Sequence, residues 1–396
     1  MIYMKTATAT WTTYNNYGTV LQAYALQQEL LQLGHENKIL CDETIIAEQI
    51  ARGKAGKKIA APAPRERNTD QSVLHRAAKV LLSPRKAERV ITARLDRERY
   101  TRPYDASQQA IEQFKKDRLI IDQDLSPDSL DELNDRYDAF IAGSDQVWSV
   151  FDETFNPFYY LDFATKRKIA YAPCLGTDQI PEPVKGKLRG LLSSFAALSA
   201  RERVSAEQLS ALTGRNVEWT ADPTLLRGRA GWEEDIRQMQ TDERPGYLLC
   251  YFLNNQSWYF EQAKRIAKQR RLRILLIPSR WEYVSSEYVR RKSTGPLEFV
   301  SLIRHADYVL TDSYHGSIFS LLFEREFQYL QRFREDDPKS QNIRIDSLFS
   351  ALDIKELIVA PDRNADMYPK IDWEHIRKTL ASMREDSKRY LSDSLS

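Results

Sequence analysis

Cysteine is scarce in this chain of 396 residues: Cys41, Cys174 and Cys250 are the three, odd in number and far apart. That pattern does not suggest a disulfide framework or a metal site, and it fits a reducing compartment best. Long apolar runs are missing as well. No window of about 18 apolar residues occurs, and the opening MIYMKTATATWTTYNNYG lacks a charged start followed by an apolar signal core, so a soluble, cytoplasmic protein is expected, at most peripheral at a membrane. There is no HExxH, no cluster of Cys and His and no spaced carboxylate loop, hence no expected metal. Neither a P-loop nor a GxGxxG is present, and no cofactor is expected. An excess of one charge is absent too: 58 Lys and Arg against 56 Asp and Glu leave +2, which argues against a nucleic-acid partner.

What is present suffices for two domains, since the length is large and 42% of the residues are hydrophobic. Charge is unevenly spread. Residues 51–102 hold 15 Lys or Arg against five Asp or Glu, a local balance of +10. This basic insertion, reaching to about residue 115, reads either as a solvated excursion or as a contact for an anionic membrane surface or a lipid diphosphate.

The opening residues 2–10 read as a strand, followed by the polar turn Thr12–Asn16. Val20, Leu21, Tyr24, Ala25, Leu30 and Leu31 then recur with helical period up to Gly34, and Lys38–Leu40 is a second strand, which makes a βαβ start. Tyr137–Ala142 is a buried strand with GSDQVW at its carboxyl end. The stretch RGRAGWEEDIRQMQTDERPG after Leu226 is charged and carries Gly and Pro, as a connection between domains would. The boundary is therefore set near residue 226, giving domains 1–226 and 227–396. The second repeats the alternation: strands at Tyr247–Leu253, Arg273–Ile277 and Tyr308–Thr311, helices at Trp258–Gln269, Pro296–His305 and Ser317–Phe323. A last helix from Trp373 to Tyr390 is placed to pack back on the first domain. The fold class expected is α/β, two Rossmann-like domains facing a cleft, similar to the GT-B glycosyltransferase architecture.

Several strings, in order, carry a resemblance: NYGTVLQAYALQ (Asn16–Gln27), FIAGSDQVW (Phe140–Trp148), YAPCLG (Tyr171–Gly176), SARE (Ser199–Glu202), ADPTLL (Ala221–Leu226) and DYVLTDSYHGSIFSLLF (Asp307–Phe323). Together they resemble the polysaccharide pyruvyl transferase family. The resemblance implies transfer of a pyruvyl group from phosphoenolpyruvate to two hydroxyls of a sugar, as a cyclic ketal on a surface polysaccharide (exopolysaccharide or capsule) or its lipid-linked oligosaccharide precursor. Two other readings stand beside it: a glycosyltransferase using a nucleotide sugar on the same frame, and a non-catalytic scaffold or binding protein.

For the donor, the loop DSYHG opens an apolar helix, which would turn N–H groups and a positive dipole end toward a phosphate beside Ser313, His315, Gly316 and Ser317. His315 is either the acid that protonates the enol carbon or a holder of the phosphate. Arg201 matches a family position associated with donor binding, where a planar fork suits a carboxylate or phosphate; the alternative is a salt bridge to Glu202 or a neighbour. Many relatives carry an arginine two residues before the histidine, where this chain has Ser313. A replacement cation is then sought among Arg280, Arg332, Arg334 and Arg344, with Arg280 and Arg344 favoured. For the acceptor, Asn16 and Gly18 mark the first loop, and Asp145 and Gln146 the loop after Ala142. Such groups grip sugar hydroxyls, and Asp145 is a candidate proton acceptor, although the same residues also form turns. The aromatics Trp148, Phe151, Phe155, Phe158, Tyr159 and Tyr160 read as packing, with sugar stacking as the other option.

Overall fold

The computed structural model describes residues 3–43, 45–46, 102–123, 125–150, 155–239, 243–254, 256–279, 289–334, 337, 340–361 and 370–396. Most of the basic insertion, together with Phe151 and Arg280, lies outside them.

Two all-parallel sheets organise the chain. The first runs β3-β2-β1-β4-β5, from β1 (Lys5–Ala9), β2 (Glu36–Leu40), β3 (Ile121–Asp122), β4 (Ala139–Ala142) and β5 (Arg167–Ala170). A bridge from Ile169 to Ala197 and the parallel pair β6 (Ser199–Ala200) and β7 (Glu218–Trp219) extend it past β5. The second runs β10-β9-β8-β11-β12-β13, from β8 (Tyr247–Phe252), β9 (Arg273–Pro278), β10 (Val289–Arg291), β11 (Tyr308–Thr311), β12 (Phe327–Leu330) and β13 (Ile358–Val359). Strands such as YLLCYF in β8 are buried at every position, as befits parallel sheets covered on both faces by helices. The two Rossmann-like units expected from the sequence are present.

The helix α1 (Tyr17–Gln32) starts where the Asn16 side chain accepts the Gly18 amide, and it ends before Gly34, whose φ of 85° suits glycine. Its burial is nearly all-round because it packs in three directions: under the first sheet, against α2 (residues 102–118), and against the second domain. Tyr17 stacks on Phe299 at 4.6 Å and donates to the Thr294 carbonyl at 2.8 Å; Tyr24 meets Phe114 edge-on at 5.4 Å.

The first part of the charged stretch expected to be a connection, residues 227–235, is helical. It belongs to α3 (Pro223–Asp235), which crosses the expected boundary and breaks its helical dihedrals only at Gly228. The charges hid this from a composition argument because they satisfy one another: Arg227 pairs with Asp235 at 2.5 Å, while Trp232 is fully buried and donates to the Thr224 carbonyl. The closing helix α4 (Trp373–Ser394) reaches across to the first domain, where Tyr390 donates to the Ala170 carbonyl at 2.7 Å and Ser387 accepts the Ala221 amide at 2.8 Å. Among the described residues no helix is long and apolar enough to cross a membrane.

Strand order reverses between β1 and β4 in one sheet and between β8 and β11 in the other. Crevices open at such reversals, beyond the carboxyl ends of the strands. Here the two crevices face each other.

Candidate active site

A cavity of about 400 Å³ lies between the two reversals. The loop after β1 lines it with Trp11, Tyr14 and Asn16, and the loop after β4 with Asp145 and Gln146; opposite stand Asp312, Ser313, Tyr314 and His315 after β11, with Arg332 and Arg344 beside them.

The β11 loop is shorter than expected. The helix after it spans Tyr314–Leu322 rather than starting at Ser317, because Ser313 caps it by accepting the Gly316 amide. Gly316 is thus inside the helix, where a β-carbon would come 2.7 Å from the Thr311 hydroxyl, and Ser317 is buried with its hydroxyl donating to the Ser313 carbonyl. Neither lines the cavity. Ser313 and His315 do, so of the expected donor loop the structure brings these two to the site.

Beneath them sits a buried charge cluster. Asp222 caps α3, accepting the Thr224 amide at 2.9 Å and its hydroxyl at 2.6 Å. Its other oxygen accepts from Arg201 Nη1 at 2.8 Å and stands 3.4 Å from His315 Nε2. Burial works to raise this carboxyl, but the His315 imidazole, the Arg201 guanidinium and the Thr224 hydroxyl outweigh it and hold it below the ordinary carboxylate range. Arg201 also lies 3.5 Å from Asp145 and from Glu202, and its guanidinium carbon is 4.8 Å from the centre of the Tyr314 ring. With 4% exposure and three carboxylate neighbours, it forms the floor behind Tyr314 rather than part of the lining. The salt bridge to Glu202 and its neighbours, one of the two readings of the SARE motif, is present.

Asp145 occupies backbone φ 70°, a strained region for a residue with a β-carbon, and such strain gathers at functional loops. It accepts from the Thr19 hydroxyl at 2.9 Å with one oxygen and faces Arg201 with the other. Gly18, expected on the acceptor side, instead meets His315: a β-carbon there would stand 2.6 Å from Cγ and 2.7 Å from Cε1 of the imidazole. Gln146 keeps its side-chain nitrogen buried without a hydrogen-bond partner among the described residues.

Two cations converge on the wall opposite. Arg344 hydrogen-bonds Gln341 at 2.7 Å, and Arg332 has its Nε buried with no hydrogen-bond partner among the described residues. Burial lowers the pKa of Arg332, Asp312 works against that, and the nearby charge of Arg344 lowers it further. Arg334, also considered, is exposed and does not line the cavity. Asp312, buried to 1% exposure, accepts the amides of Leu253 at 2.5 Å and Asn254 at 2.9 Å; burial pushes its carboxyl up to about 6 against these bonds. Among the described residues, the aromatics after Asp145 pack in the first-domain core: Trp148 is fully buried and stacks on Tyr160 at 5.3 Å, with Phe155, Phe158 and Tyr159 in the same cluster.

Sequence reasoning did not single out Asp222, Asp312, Thr19, Trp11 or Tyr14. Asp222 stood inside the ADPTLL string and Asp312 directly after a strand, which were the available signals; the polar loop after β1 was read for Asn16 and Gly18 alone.

A family model described as polysaccharide pyruvyl transferase matches residues 16–327. No curated protein sequence matches the chain. Among solved structures, a UDP-GlcNAc 2-epimerase from Neisseria meningitidis bound to UDP-GlcNAc is 12% identical with a TM-score of 0.46, covering 98% of this chain and 93% of that chain. The UDP-GlcNAc 2-epimerase from Methanocaldococcus jannaschii is 10% identical with a TM-score of 0.46, over 97% and 93%. The E. coli heptosyltransferase WaaC with ADP is 11% identical with a TM-score of 0.39, over 96% and 100%.

Proposed function

The chain belongs to the polysaccharide pyruvyl transferase family, and we propose that it transfers the three-carbon unit of phosphoenolpyruvate to two hydroxyls of a sugar as a ketal, releasing phosphate. The observation that carries this reading is the convergence of Arg332, Arg344 and His315 on one cavity. Two guanidinium groups that disfavour each other, one with an unbonded buried N–H, are best relieved by an anion. They take the part of the cation missing at Ser313. A carboxylate and a phosphate on one small molecule satisfy both.

The chemistry then divides between residues. With the arginines holding the anionic groups, His315 is free to give its proton to the enol carbon, which becomes the methyl group. A sugar hydroxyl bonds to the adjacent carbon, phosphate leaves, and the second hydroxyl closes the ketal. Of the two hydroxyl protons, one returns to the imidazole and one departs with the phosphate, so the cycle balances. Asp145 has one oxygen bonded to Thr19 and the other facing Arg201, which makes it an orienter of acceptor hydroxyls. Asn16 and Gln146 line the same wall. The acceptor belongs to a surface polysaccharide or its lipid-linked precursor, met by a cytoplasmic protein at the inner face of the membrane.

Ligand-dependent melting tests this. Phosphoenolpyruvate should raise the melting temperature, and uridine or cytidine sugar nucleotides should not. The opposite pattern would establish the glycosyltransferase alternative, and silence toward both would leave a scaffold. His315→Ala should abolish phosphate release while keeping the fold.

A further inference from the structure

The loop after β1 carries two aromatic side chains that the chemistry above does not use. Trp11 and Tyr14 line the cavity, with ring centres 4.8 Å apart and planes at 50°. Tyr14 is 40% exposed, whereas Trp148, Tyr160 and Tyr171 are buried to 2% or less. Trp11 is half-buried, resting on the first-domain core with part of its ring turned to the cavity.

A flexible loop would hide such rings against the core. This loop is pinned: the Thr12 amide bonds Asp42 at 3.2 Å, and Lys115 Nζ bonds the Thr12 carbonyl at 2.7 Å and Asn15 at 2.6 Å. Tyr159 secures Asp42 from below at 2.6 Å. The rings are thereby offered at fixed positions before any ligand arrives. Burial, then the charges of Asp42 and Asp145, raise the Tyr14 phenol, so it stays a neutral donor.

We infer that Trp11 and Tyr14 form the platform for the acceptor sugar, a neutral pyranose whose C–H face lies on the two rings. Aromatic faces are electron-rich and attract the weakly positive axial C–H groups of a sugar, which no charged group in the cavity can do. Two rings at an angle make a corner that takes the face of a ring on one side and its edge on the other. Gln146, whose buried amide nitrogen has no hydrogen-bond partner among the described residues, and Asn16 stand on the same wall to bond the hydroxyls that leave the stacked face. This inference rests on the pyruvyl-transfer reading and names the sugar-binding half of that site.

Saturation-transfer NMR tests it on the full chain with methyl pyranosides of glucose, galactose and mannose, with galactitol as an open-chain control, in the presence of phosphoenolpyruvate. At least one pyranoside should show transfer to its ring C–H protons, galactitol none, and Tyr14→Ala should reduce the signal about fivefold or more. Trp11→Phe should retain part of it and Trp11→Ala lose it. The melting shift given by phosphoenolpyruvate should persist in Tyr14→Ala and Trp11→Phe. Unchanged transfer in Tyr14→Ala and Trp11→Phe, or no transfer from any pyranoside, overturns the platform. If wild-type protein shows no phosphoenolpyruvate shift at all, it is the donor reading that fails, and this readout is separate from the sugar signal.

Discussion

His315 and Gly18 touch across the domain boundary: a β-carbon on the glycine would enter the contact shell of three imidazole atoms, Cγ, Cε1 and Nδ1. One side of the histidine is thus set by the absence of a side chain, and the other by Asp222, 3.4 Å from Nε2. The ring, carried by the second domain, is clamped between two elements of the first.

Gly18→Ala should therefore act on chemistry more than on folding. Overpacking of this kind costs about 1–3 kcal/mol, relieved here by turning the imidazole away. Displacing a proton donor by an ångström lowers turnover on the order of 100-fold. Phosphate release should fall accordingly, while circular dichroism remains that of the parent; an alanine variant with full turnover would show that the clamp does not matter.

Asp222→Asn removes the carboxylate that Arg201 and His315 share. Breaking a buried pair costs about 3–5 kcal/mol where the remaining charge has no other partner; Asp145 and Glu202, each 3.5 Å from Arg201, hold the loss here to the low end of that range. Denaturant titration at neutral pH should show that loss, and the Thr224→Val variant, which removes only a hydroxyl donor to the same carboxylate, should show a smaller one.

Arg332→Ala and Arg344→Ala should each raise the KM for phosphoenolpyruvate about 10- to 100-fold, the equivalent of one charged hydrogen bond. Arg332→Lys should recover only part of this, since an ammonium cannot present a planar fork. Steady-state kinetics with varied donor distinguish these outcomes from a general loss of turnover.

Asp312 makes stability depend on pH in an identifiable window. Its folded pKa of about 6 lies above the ordinary value of 3.8, so the folded state holds this proton more tightly than the unfolded chain. Raising pH through that interval withdraws the proton from the unfolded chain first, and stability falls until the folded group has ionised as well. Between pH 4.5 and 7 this site alone should cost the protein about 2 kcal/mol. Asp312→Asn removes the effect, so the stability difference between parent and variant should shift by that amount over the same range in denaturant titrations.

Parallel strands buried on both faces are legible because their apolar runs are continuous; Tyr308–Thr311 and Pro296–His305 were read from the sequence with the bounds the structure shows. The place of the histidine at the cleft was legible for a related reason, since a residue just beyond a parallel strand falls at the open edge of the sheet; Arg344 lies instead in the helix Ile343–Ala351, for which that rule gives no signal. The helix over 223–235 was not legible because composition counts charges without knowing that Arg227 and Asp235 neutralise each other over a buried Trp232.

By itself the sequence determined the period of burial, and with it two α/β units and the loops at their strand ends. It could not determine which loops meet. Asp222 and His315 are separated by most of a domain in sequence, as are Tyr14 and Gln146. Only the pairing of β1 with β4 brings Tyr14 beside Gln146, and only the packing of α3 against the helix Tyr314–Leu322 sets Asp222 beneath His315, because side-chain contact depends on distance in space, which a linear pattern of apolar residues does not encode.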